Sequence, residues 1–267
     1  MNMNIIIATW NINSIRIRIP LLKRLAREAE PDIVLLQETK VEDADFPLEN
    51  VKALGFPHVY FSGQKSYNGV AILSKIKLDK VSCLTMAKSD HKRHISALLP
   101  NGTAIHNFYV PAGGDIPDPK LNPAYGFKLR FVEDMTEWSK HLKKTGRNAV
   151  IAGDFNIAPL EHDVWSHKQL LKVVSHTPAE VERINALKDS LNWCDAARHF
   201  VKPEEKLYSW WSYRNRDWRK SGRGRRLDHI WVTPELTPAL RRFTILKDAR
   251  GWDAPSDHVP VVMELSA

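Results

Sequence analysis

An acid and an amide follow a short apolar run near the middle of the chain. Residues 149–152 predict a buried strand, Gly153 follows them, and Pro159 prevents the strand from continuing. Because side chains alternate along an extended backbone, Asp154 and Asn156 project to the same side of the strand end. The two side chains could therefore address one water molecule or one metal-bound phosphate. The same residues also fit an Asx turn with no chemical role.

Other polar side chains occur where further predicted strands begin or end. Apolar strands over residues 4–10 and 32–36 lead into an amide and an acid, and a hairpin over residues 95–110 ends close to a tyrosine. Strands over residues 227–232 and 261–265 begin beside an acid and an Asp-His pair. Open α/β sheets gather their ligands at strand ends, so these positions support one shared site. The residues are Asn11, Glu38, Tyr109, Asp228, Asp257 and His258.

The residue types of this set narrow the possible chemistry. The sequence contains no serine or cysteine nucleophile motif, no GxGxxG segment and no P-loop. If Asp257 and His258 turn into one pocket, the carboxylate is a hard oxygen ligand and the imidazole is a hydrogen-bond donor to phosphate. Carboxylates and amides without cysteine ligands favour Mg²⁺ or Mn²⁺ over Zn²⁺. The set therefore predicts metal-assisted hydrolysis of a phosphoester.

The chain has the size and composition of a single domain. Its 267 residues approach the upper limit for one core, 43% of them are apolar, and no linker-like composition occurs between residues 30 and 265. We therefore expect one domain over residues 1–267, and a monomer. No apolar run approaches the roughly 18 residues that cross a membrane, and no signal-peptide pattern is present, which predicts a cytoplasmic protein. Cys83 and Cys194 match no metal or redox spacing and are expected to be reduced thiols.

An excess of positive charge is concentrated in one segment that is rich in aromatic residues. The chain has 39 Lys and Arg against 31 Asp and Glu, a net charge of +8 and a pI of about 9.4, which favours a polyanionic partner. Nucleic-acid binding requires cations for phosphates and flat rings for bases or sugars, although a solvated loop beside core-facing tryptophans would have the same composition. The segment contains the cations Arg214, Arg216, Arg219, Lys220, Arg223, Arg225 and Arg226 and lies beside Tyr208, Trp210, Trp211, Tyr213 and Trp218.

Strands alternate with helices in an order that is typical of layered α/β proteins. Pro20 is predicted to open the first helix, which Pro31 closes. The apolar spacing over residues 127–142 predicts a long amphipathic helix before the central strand. Thr177 and Glu180 have the spacing of a capping box and predict the start of a further helix.

Two of the predicted strands end in the same way. Trp10-Asn11-Ile12 and Phe155-Asn156-Ile157 each place an aromatic residue, an asparagine and an isoleucine after an apolar strand. The match suggests two similar halves, each of which brings a strand end and an asparagine to a shared cleft.

Six short motifs occur in order along nearly the whole chain. They are Trp10-Asn11-Ile12-Asn13, Leu36-Gln37-Glu38-Thr39-Lys40, Tyr109 before Val110-Pro111, Gly153-Asp154-Phe155-Asn156, Leu227-Asp228-His229 and Ser256-Asp257-His258-Val259-Pro260. Together they resemble the exonuclease III family of abasic-site endonucleases, and the Leu-Gln-Glu-Thr-Lys motif with the Tyr-Ser-Trp-Trp-Ser-Tyr segment separates this branch from general DNase I-like phosphohydrolases. The resemblance implies a four-layer α/β sandwich, in which two packed mixed β-sheets are flanked by helices and the active site lies at one end.

The resemblance also implies a metal site and a group that activates water. Glu38 and Asp257, supported by Asn11, would hold Mg²⁺, which neutralises charge on the scissile phosphate and its leaving oxygen, and Mn²⁺ is expected to substitute. Asp154 would orient and deprotonate the attacking water with the help of Asn156. Both residues also belong to the implied metal-binding set.

The remaining polar residues are implied to bind the reacting phosphate. His258, positioned by Asp228, would contact a nonbridging oxygen, and Tyr109 would donate or accept a proton near the same phosphorus. The implied substrate is double-stranded DNA, which is cut 5′ to an abasic site, trimmed from nicks or 3′ ends, or relieved of blocked 3′ termini.

A few residues match the family's DNA contacts, with one departure. Trp210 and Leu227 match positions that wall the pocket for a base-free sugar, and Arg93 matches a basic position that contacts DNA. His258 is also predicted to contact DNA through phosphate. Arg225 stands where an apolar residue of the pocket wall is expected, and its guanidinium could narrow the pocket or grip a terminal phosphate instead.

Two other functions are compatible with parts of the sequence. A phosphohydrolase of the same fold that acts on a non-DNA phosphoester would use the acids but not the basic aromatic segment. A DNA-binding protein on an inactive nuclease scaffold would use that segment, but no member of the acidic set is missing.

Overall fold

The structure of the protein is a computed structural model that describes residues 4–215 and 217–266. Arg216, one of the cations predicted to bind nucleic acid, lies outside the described residues. The described strands are β1 (Asn4–Asn11), β2 (Ile33–Gln37), β3 (His58–Ser62), β4 (Val70–Ser74), β5 (Asp79–Ser82), β6 (His94–Leu98), β7 (Ala104–Tyr109), β8 (Ala149–Asp154), β9 (Cys194–Asp195), β10 (Trp210–Trp211), β11 (Gly224–Arg225), β12 (Asp228–Val232), β13 (Leu240–Ile245) and β14 (Val261–Ser266).

Most of these strands form two six-stranded sheets with matching topology. The first sheet has the order β13-β14-β1-β2-β4-β3 and the second has the order β5-β6-β7-β8-β12-β9. Each sheet contains one parallel pair near its centre, β1 with β2 and β7 with β8, and its other pairs are antiparallel. The strands β10 and β11 form a separate two-stranded ribbon.

Helices connect the strands and cover the outer faces of the sheets. None of the helices in the described ranges has the length and apolar composition that crossing a bilayer requires. The α-helices are α1 (Ile15–Glu28), α2 (Leu48–Lys52), α3 (Pro123–Thr145), α4 (His167–Leu170), α5 (Pro178–Leu191), α6 (Ala196–Phe200) and α7 (Trp218–Ser221), and 3₁₀ turns lie at Asp43–Asp45, Glu161–Asp163, Pro234–Ala239 and Lys247–Gly251.

Three apolar clusters establish the order of the layers. The first lies between the two sheets and joins Ile7 of β1 to Val150 of β8. The second packs α1 on the outer face of the first sheet, and the third packs α3 and α5 on the outer face of the second sheet. Because the central strands are buried on both faces, they read as continuous apolar runs in the sequence. The predicted four-layer α/β sandwich is confirmed.

The start of the first helix differs from the prediction, because α1 begins at Ile15 and not at Pro20. Asn13 and Ser14 have positive φ angles of 49° and 83° and turn the chain directly from β1 into the helix. Pro20 lies inside α1, where it has no N–H to donate, and non-helical angles at Arg18 form a kink two residues before it.

The other two predicted helix starts depend on their caps. α3 begins at Pro123, four residues before the predicted start at residue 127, because the Asn122 side chain accepts a hydrogen bond from the backbone N–H of Ala124. The capping box that was predicted for α5 is confirmed, since the side chains of Thr177 and Glu180 each bond the other's backbone N–H.

Three buried histidines lie on strands of the second sheet. Nδ1 of His94 accepts a hydrogen bond from the backbone N–H of Leu84, so its Nε2–H donates to Nδ1 of His106 over 3.0 Å. Burial and the charge of Arg147 lower the pKa of His106 to about 3. Burial and the charge of Arg226 lower the pKa of His229 to about 4. All three imidazoles are therefore neutral in the folded protein near neutral pH, because burial also lowers the pKa of His94.

These neutral histidines predict a loss of stability on mild acidification. Between pH 6 and pH 5 the unfolded chain protonates His106 while the folded chain does not, so the free energy of unfolding falls as the pH falls. We expect His106→Gln to reduce this slope by about 1 kcal/mol per pH unit, measured by urea denaturation. The control variant is His141→Gln, which makes the same substitution at an exposed position. An unchanged slope in His106→Gln would show that His106 is protonated in the folded state.

Candidate active site

The strand ends that carry the predicted site residues meet at one edge of the sandwich. β1 and β2 are parallel and lead to Asn11 and Glu38 at this edge. β7 and β8 are also parallel, and they end there at Tyr109 and Asp154. β12 and β14 are antiparallel to these strands and begin at the same edge, since Asp228 pairs with Asp154. A cavity of about 470 Å³ opens there, and its lining includes Glu38, Asp154, Asn156, Trp210, Arg225, Leu227, Asp257 and His258.

Asn11 joins the ends of the two sheets. Its buried Nδ2 donates to Oε1 of Glu38 over 3.0 Å and to Oδ2 of Asp154 over 2.9 Å. The hydroxyl of Tyr109 donates to the same Glu38 oxygen over 2.6 Å. Burial by itself raises the pKa of Glu38, but the hydrogen bonds from Asn11, Lys40 and Tyr109 and the charge of Lys40 together bring it below its usual range. Glu38 is therefore held as a carboxylate.

Asp257 is connected to Glu38 although the two residues are 219 positions apart in the sequence. Nδ2 of Asn13 donates to Oδ1 of Asp257 over 3.1 Å, and Nζ of Lys40 contacts both Oδ1 of Asn13 and Oε2 of Glu38 over 2.7 Å. Nε1 of Trp210 donates to the other Asp257 oxygen over 2.9 Å. The sequence motifs contained Asn13 and Lys40, but nothing in their spacing indicated that they link these two carboxylates.

Asp154 and Asn156 adopt the second of the two interpretations of the central strand end, the Asx turn, because Asn156 has a φ angle of 53° and its backbone is not extended. The backbone N–H of Asn156 donates to Oδ1 of Asp154 over 2.9 Å and its Nδ2 donates to Oδ2 over 3.0 Å. The Asx turn therefore forms, and it orients the carboxylate towards the cavity edge. Gly153 is required before it, because its φ is 141° and a Cβ atom there would lie 1.8 Å from the carbonyl oxygen of Phe108.

His258 and Asp228 form a buried pair beside Asp154. Nδ1 of His258 lies 2.8 Å from Oδ2 of Asp228, which also accepts from the Ser209 hydroxyl over 2.6 Å. Nε2 of His258 lies 3.6 Å from Oδ2 of Asp154. Burial lowers the pKa of His258, but the charges of Asp228 and Asp154 raise it to about 10. Burial raises the pKa of Asp154, which reaches about 7 although the His258 charge opposes the rise.

The donor atoms of the site fit a hard divalent cation. Among the described residues, Asp154, Asp228 and His258 offer atoms within 4.8 Å of one another. His258 is nevertheless a poor ligand, because an imidazolium that donates to Asp228 has no free lone pair. The carboxylates of Glu38 and Asp257 are better candidates, since both line the cavity and both are oxygen ligands.

The predicted DNA contacts occupy three different environments. Trp210 and Leu227 line the cavity, while Trp211 is buried in the apolar cluster on the outer face of the first sheet. Trp210 is therefore placed to contact a ligand, and Trp211 is a core residue. Arg225 lies over the Trp210 ring, 5.1 Å from its centroid. Arg93 packs on the Tyr109 ring at 4.5 Å and donates to the Tyr109 carbonyl.

One cation of the basic segment is not available to DNA. Arg226 is fully buried, its guanidinium forms two 2.8 Å hydrogen bonds to Asp163, and it also binds Asp195. The prediction of a phosphate contact is therefore wrong for this residue, which stabilises the chain beside the cavity. The exposed cations of the described segment are Arg214, Arg219, Lys220 and Arg223.

A buried ion pair that the sequence analysis missed supports the loops of the site. The ammonium of Lys128 contacts Glu180 and donates to the carbonyl oxygens of Asn156 over 2.8 Å and Ala112 over 3.2 Å. Both side chains of the pair are fully buried. The available signal was the position of Lys128 in α3, since it falls in the apolar stripe that contains Tyr125.

Two packed mixed sheets with a carboxylate, amide and imidazole site at one edge define a phosphoester hydrolase of the DNase I-like type. The model of the Endonuclease/Exonuclease/phosphatase family matches residues 8–258. The chain belongs to this family. It is 31% identical over 267 residues to exodeoxyribonuclease III of Haemophilus influenzae, a match that covers 96% of this chain and 98% of the relative.

Solved structures show the same likeness. An AP endonuclease from Archaeoglobus fulgidus superposes with a TM-score of 0.91 and 33% identity, covering 98% of this chain and all of its own. The 3′ phosphatase NExo from Neisseria, bound to product DNA hairpin, superposes with a TM-score of 0.90 and 31% identity, and the match covers 98% of this chain and 100% of the NExo chain. The predicted resemblance to the exonuclease III family is confirmed, and with it the predicted class of enzyme.

The buried Lys128–Glu180 pair leads to a prediction about stability. We expect Lys128→Met to lower the free energy of unfolding by about 3–5 kcal/mol, because it leaves the Glu180 carboxylate buried without its cation. Adding Glu180→Gln should recover part of this loss, since the double variant buries no net charge. Urea denaturation of the wild type and both variants measures the effect. A double variant that is less stable than Lys128→Met would contradict this account of the pair.

Proposed function

We propose that this protein is an Mg²⁺-dependent DNA repair nuclease. It hydrolyses phosphodiesters of duplex DNA 5′ to abasic sites, removes nucleotides from 3′ ends and clears blocked 3′ termini. The observation that carries the proposal is the meeting of Glu38, Asp154, Asp257 and His258 in one cavity beside Trp210. The relatives named above are an exodeoxyribonuclease III, an AP endonuclease and a 3′ phosphatase, which supports DNA as the substrate.

Asp154 is the group that takes a proton from the attacking water. Asn11 and Asn156 both donate to Oδ2 of this carboxylate, which fixes its orientation before the substrate arrives. The water oxygen then forms a bond to phosphorus while the bond from phosphorus to the 3′ oxygen breaks. The released 3′ oxygen takes up a proton and becomes a hydroxyl.

Glu38, Asp257 and the amide of Asn11 would hold the metal ion, with Asp154 and Asn156 close by. When bound, Mg²⁺ or Mn²⁺ supplies Lewis-acid stabilisation of the charge on the phosphate and the leaving oxygen. Lys40 and Asn13 position the two carboxylates through the contacts that join them. Tyr109 restrains Glu38 through its hydroxyl.

His258 provides a fixed positive donor for the substrate phosphate. Its Nδ1 is satisfied by Asp228, which leaves Nε2 directed at the position beside Asp154. A nonbridging oxygen bound there gains a charge-assisted hydrogen bond that strengthens as negative charge develops. Tyr109 would act at the same phosphate by turning its single O–H from Glu38 to a phosphate oxygen when the substrate binds.

Duplex DNA explains more of the molecule than the other functions do. A small phosphoester would leave the exposed cations Arg214, Arg219, Lys220 and Arg223 without a role. An inactive scaffold would not need the carboxylates to be held together by so many donors. We further propose that residues 1–267 act as one catalytic domain, as a monomer in the cytoplasm.

Metal removal and one substitution test the reaction. On duplexes with a central abasic analogue, a recessed 3′ end or a 3′-phosphate, EDTA should abolish turnover. Asp154→Asn should lower turnover by about 10²- to 10⁴-fold, the usual contribution of a general base, while DNA binding persists. Denaturing gels report turnover, and fluorescence anisotropy reports binding.

The same experiment separates the three functions. Turnover of a soluble phosphoester without turnover of any DNA would identify the small-molecule phosphohydrolase. DNA binding without metal-dependent turnover would identify the inactive scaffold. Full activity in Asp154→Asn would remove that residue from the reaction.

Binding to undamaged duplex should weaken steeply with salt. Each phosphate contact contributes a slope of about −0.9 to the plot of log affinity against log salt, so Arg223→Met should reduce the slope by about one. Arg147, an exposed cation before β8 at the opposite edge of the sandwich, provides the matched control, and Arg147→Met should leave the slope unchanged. A wild-type affinity that does not depend on salt would exclude the basic segment from phosphate binding.

A further inference from the structure

Arg225 is fixed in the wall of the cavity by the ribbon that carries Trp210. Trp210 and Arg225 pair across β10 and β11, and the guanidinium lies over the indole ring. Its Nη1 donates to the carbonyl oxygen of Val174 over 3.0 Å and to the hydroxyl of Ser175 over 2.7 Å. Three separate contacts therefore hold one cation at the edge of the site.

The frame that holds Arg225 is itself rigid. The backbone N–H of Ser175 donates to both carboxylate oxygens of Glu180, each over 2.9 Å. Glu180 is fully buried, caps α5 and contacts Lys128, which in turn binds the Asn156 carbonyl. The position of the Arg225 guanidinium is therefore tied to the backbone of the catalytic loop.

The charge of Arg225 is not matched by a nearby acid. Within the part of the chain that the structure describes, the hydrogen bonds of Arg225 go to a carbonyl and a hydroxyl and not to a carboxylate, and its Nε is buried without a hydrogen bond. Glu180 is the acid whose charge acts on Arg225, and it already neutralises Lys128. The neighbouring Arg226 differs, because Asp163 and Asp195 both bind it. A partly buried cation without a counter-charge is a receptor for an anion.

We propose that Arg225 selects 3′-phosphate ends of DNA over internal abasic sites. A phosphomonoester carries a charge of about −1.5 to −2 at neutral pH, whereas a diester carries one negative charge. At an internal site, one phosphate oxygen is bonded to the base-free sugar. In a 3′-phosphate the corresponding oxygen is free and negatively charged. Arg225 binds that oxygen, and its side chain occupies room that the sugar would need.

This inference rests on the proposed nuclease function and specifies its substrate. Water attacks the terminal phosphorus, the bond to the 3′ oxygen breaks, and that oxygen takes a proton. The products are a 3′-hydroxyl end, which a polymerase reaction can extend, and inorganic phosphate. The hydrogen bond from Arg225 is made to the departing phosphate, so this contribution to binding should be absent from 3′ ends that lack a phosphate.

The experiment compares kcat/KM on two duplexes of identical sequence, one with a 3′-phosphate at a nick and one with a central abasic analogue. We expect Arg225→Met to lower the ratio of phosphate removal to abasic cleavage by about 10- to 100-fold, the effect of losing one charge-assisted hydrogen bond. Arg225→Lys should retain part of the ratio, because the charge remains while the planar fork is lost. Arg223→Met, on the same segment, should weaken activity on both duplexes alike and leave the ratio unchanged.

A binding measurement in EDTA gives a second readout that does not depend on turnover. The wild type should bind the 3′-phosphate duplex more tightly than the matching 3′-hydroxyl duplex in fluorescence anisotropy. Arg225→Met should abolish this preference and Arg225→Lys should keep part of it.

Three outcomes would overturn the proposal. They are activity retained on both duplexes in Arg225→Met with no change in the ratio, an equal fall on both duplexes in Arg225→Met and Arg225→Lys, and equal wild-type binding of the two ends. The second outcome would mean that Arg225 only supports the loop at Val174. A wild type that is inactive on every DNA would instead overturn the proposed function itself, and the inference with it.

Discussion

The site depends on holding four carboxylates close together at one edge of the sandwich. Glu38, Asp154, Asp228 and Asp257 would repel one another in a partly buried cavity unless each had donors of its own. Asn11 donates hydrogen bonds to Glu38 and Asp154. Ser209 and His258 donate to Asp228, and Asn13 and Trp210 donate to Asp257. Asn11 lies on the first sheet, whereas Asp154 and Asp228 lie on the second, so the cluster forms only when the two sheets pack together.

The similarity of the two halves has a direct consequence for the chemistry. Asn11 and Asn156, which end similar segments of the sequence, both donate to Oδ2 of Asp154 from opposite sheets. The two parallel strand pairs bring these amides to the same edge because each pair ends there. One carboxylate oxygen is thereby fixed by both halves, and the other accepts the backbone N–H of Asn156.

The sequence predicted the strand ends better than the contacts between them. Continuous apolar runs identify strands that are buried on both faces, and polar residues directly after them identify the edge that holds the site. The positions of Asn13, Lys40 and Lys128 could not be read in the same way, because their partners are distant in the sequence. The start of α1 was also missed, since it depends on the positive φ angles at Asn13 and Ser14 and not on Pro20.

Local composition could not separate residues of one type with different roles. Alternation along a strand indicates that Trp210 and Trp211 face opposite ways, but only the packing of the ribbon shows that Trp210 faces the cavity. In the same way, Arg225 and Arg226 are adjacent and chemically identical. Asp163 and Asp195 neutralise Arg226 in the interior. Glu180 is the acid whose charge acts on Arg225, but it is already paired with Lys128. The free charge in the cavity wall is therefore decided by where Asp163, Asp195 and Glu180 lie in the fold.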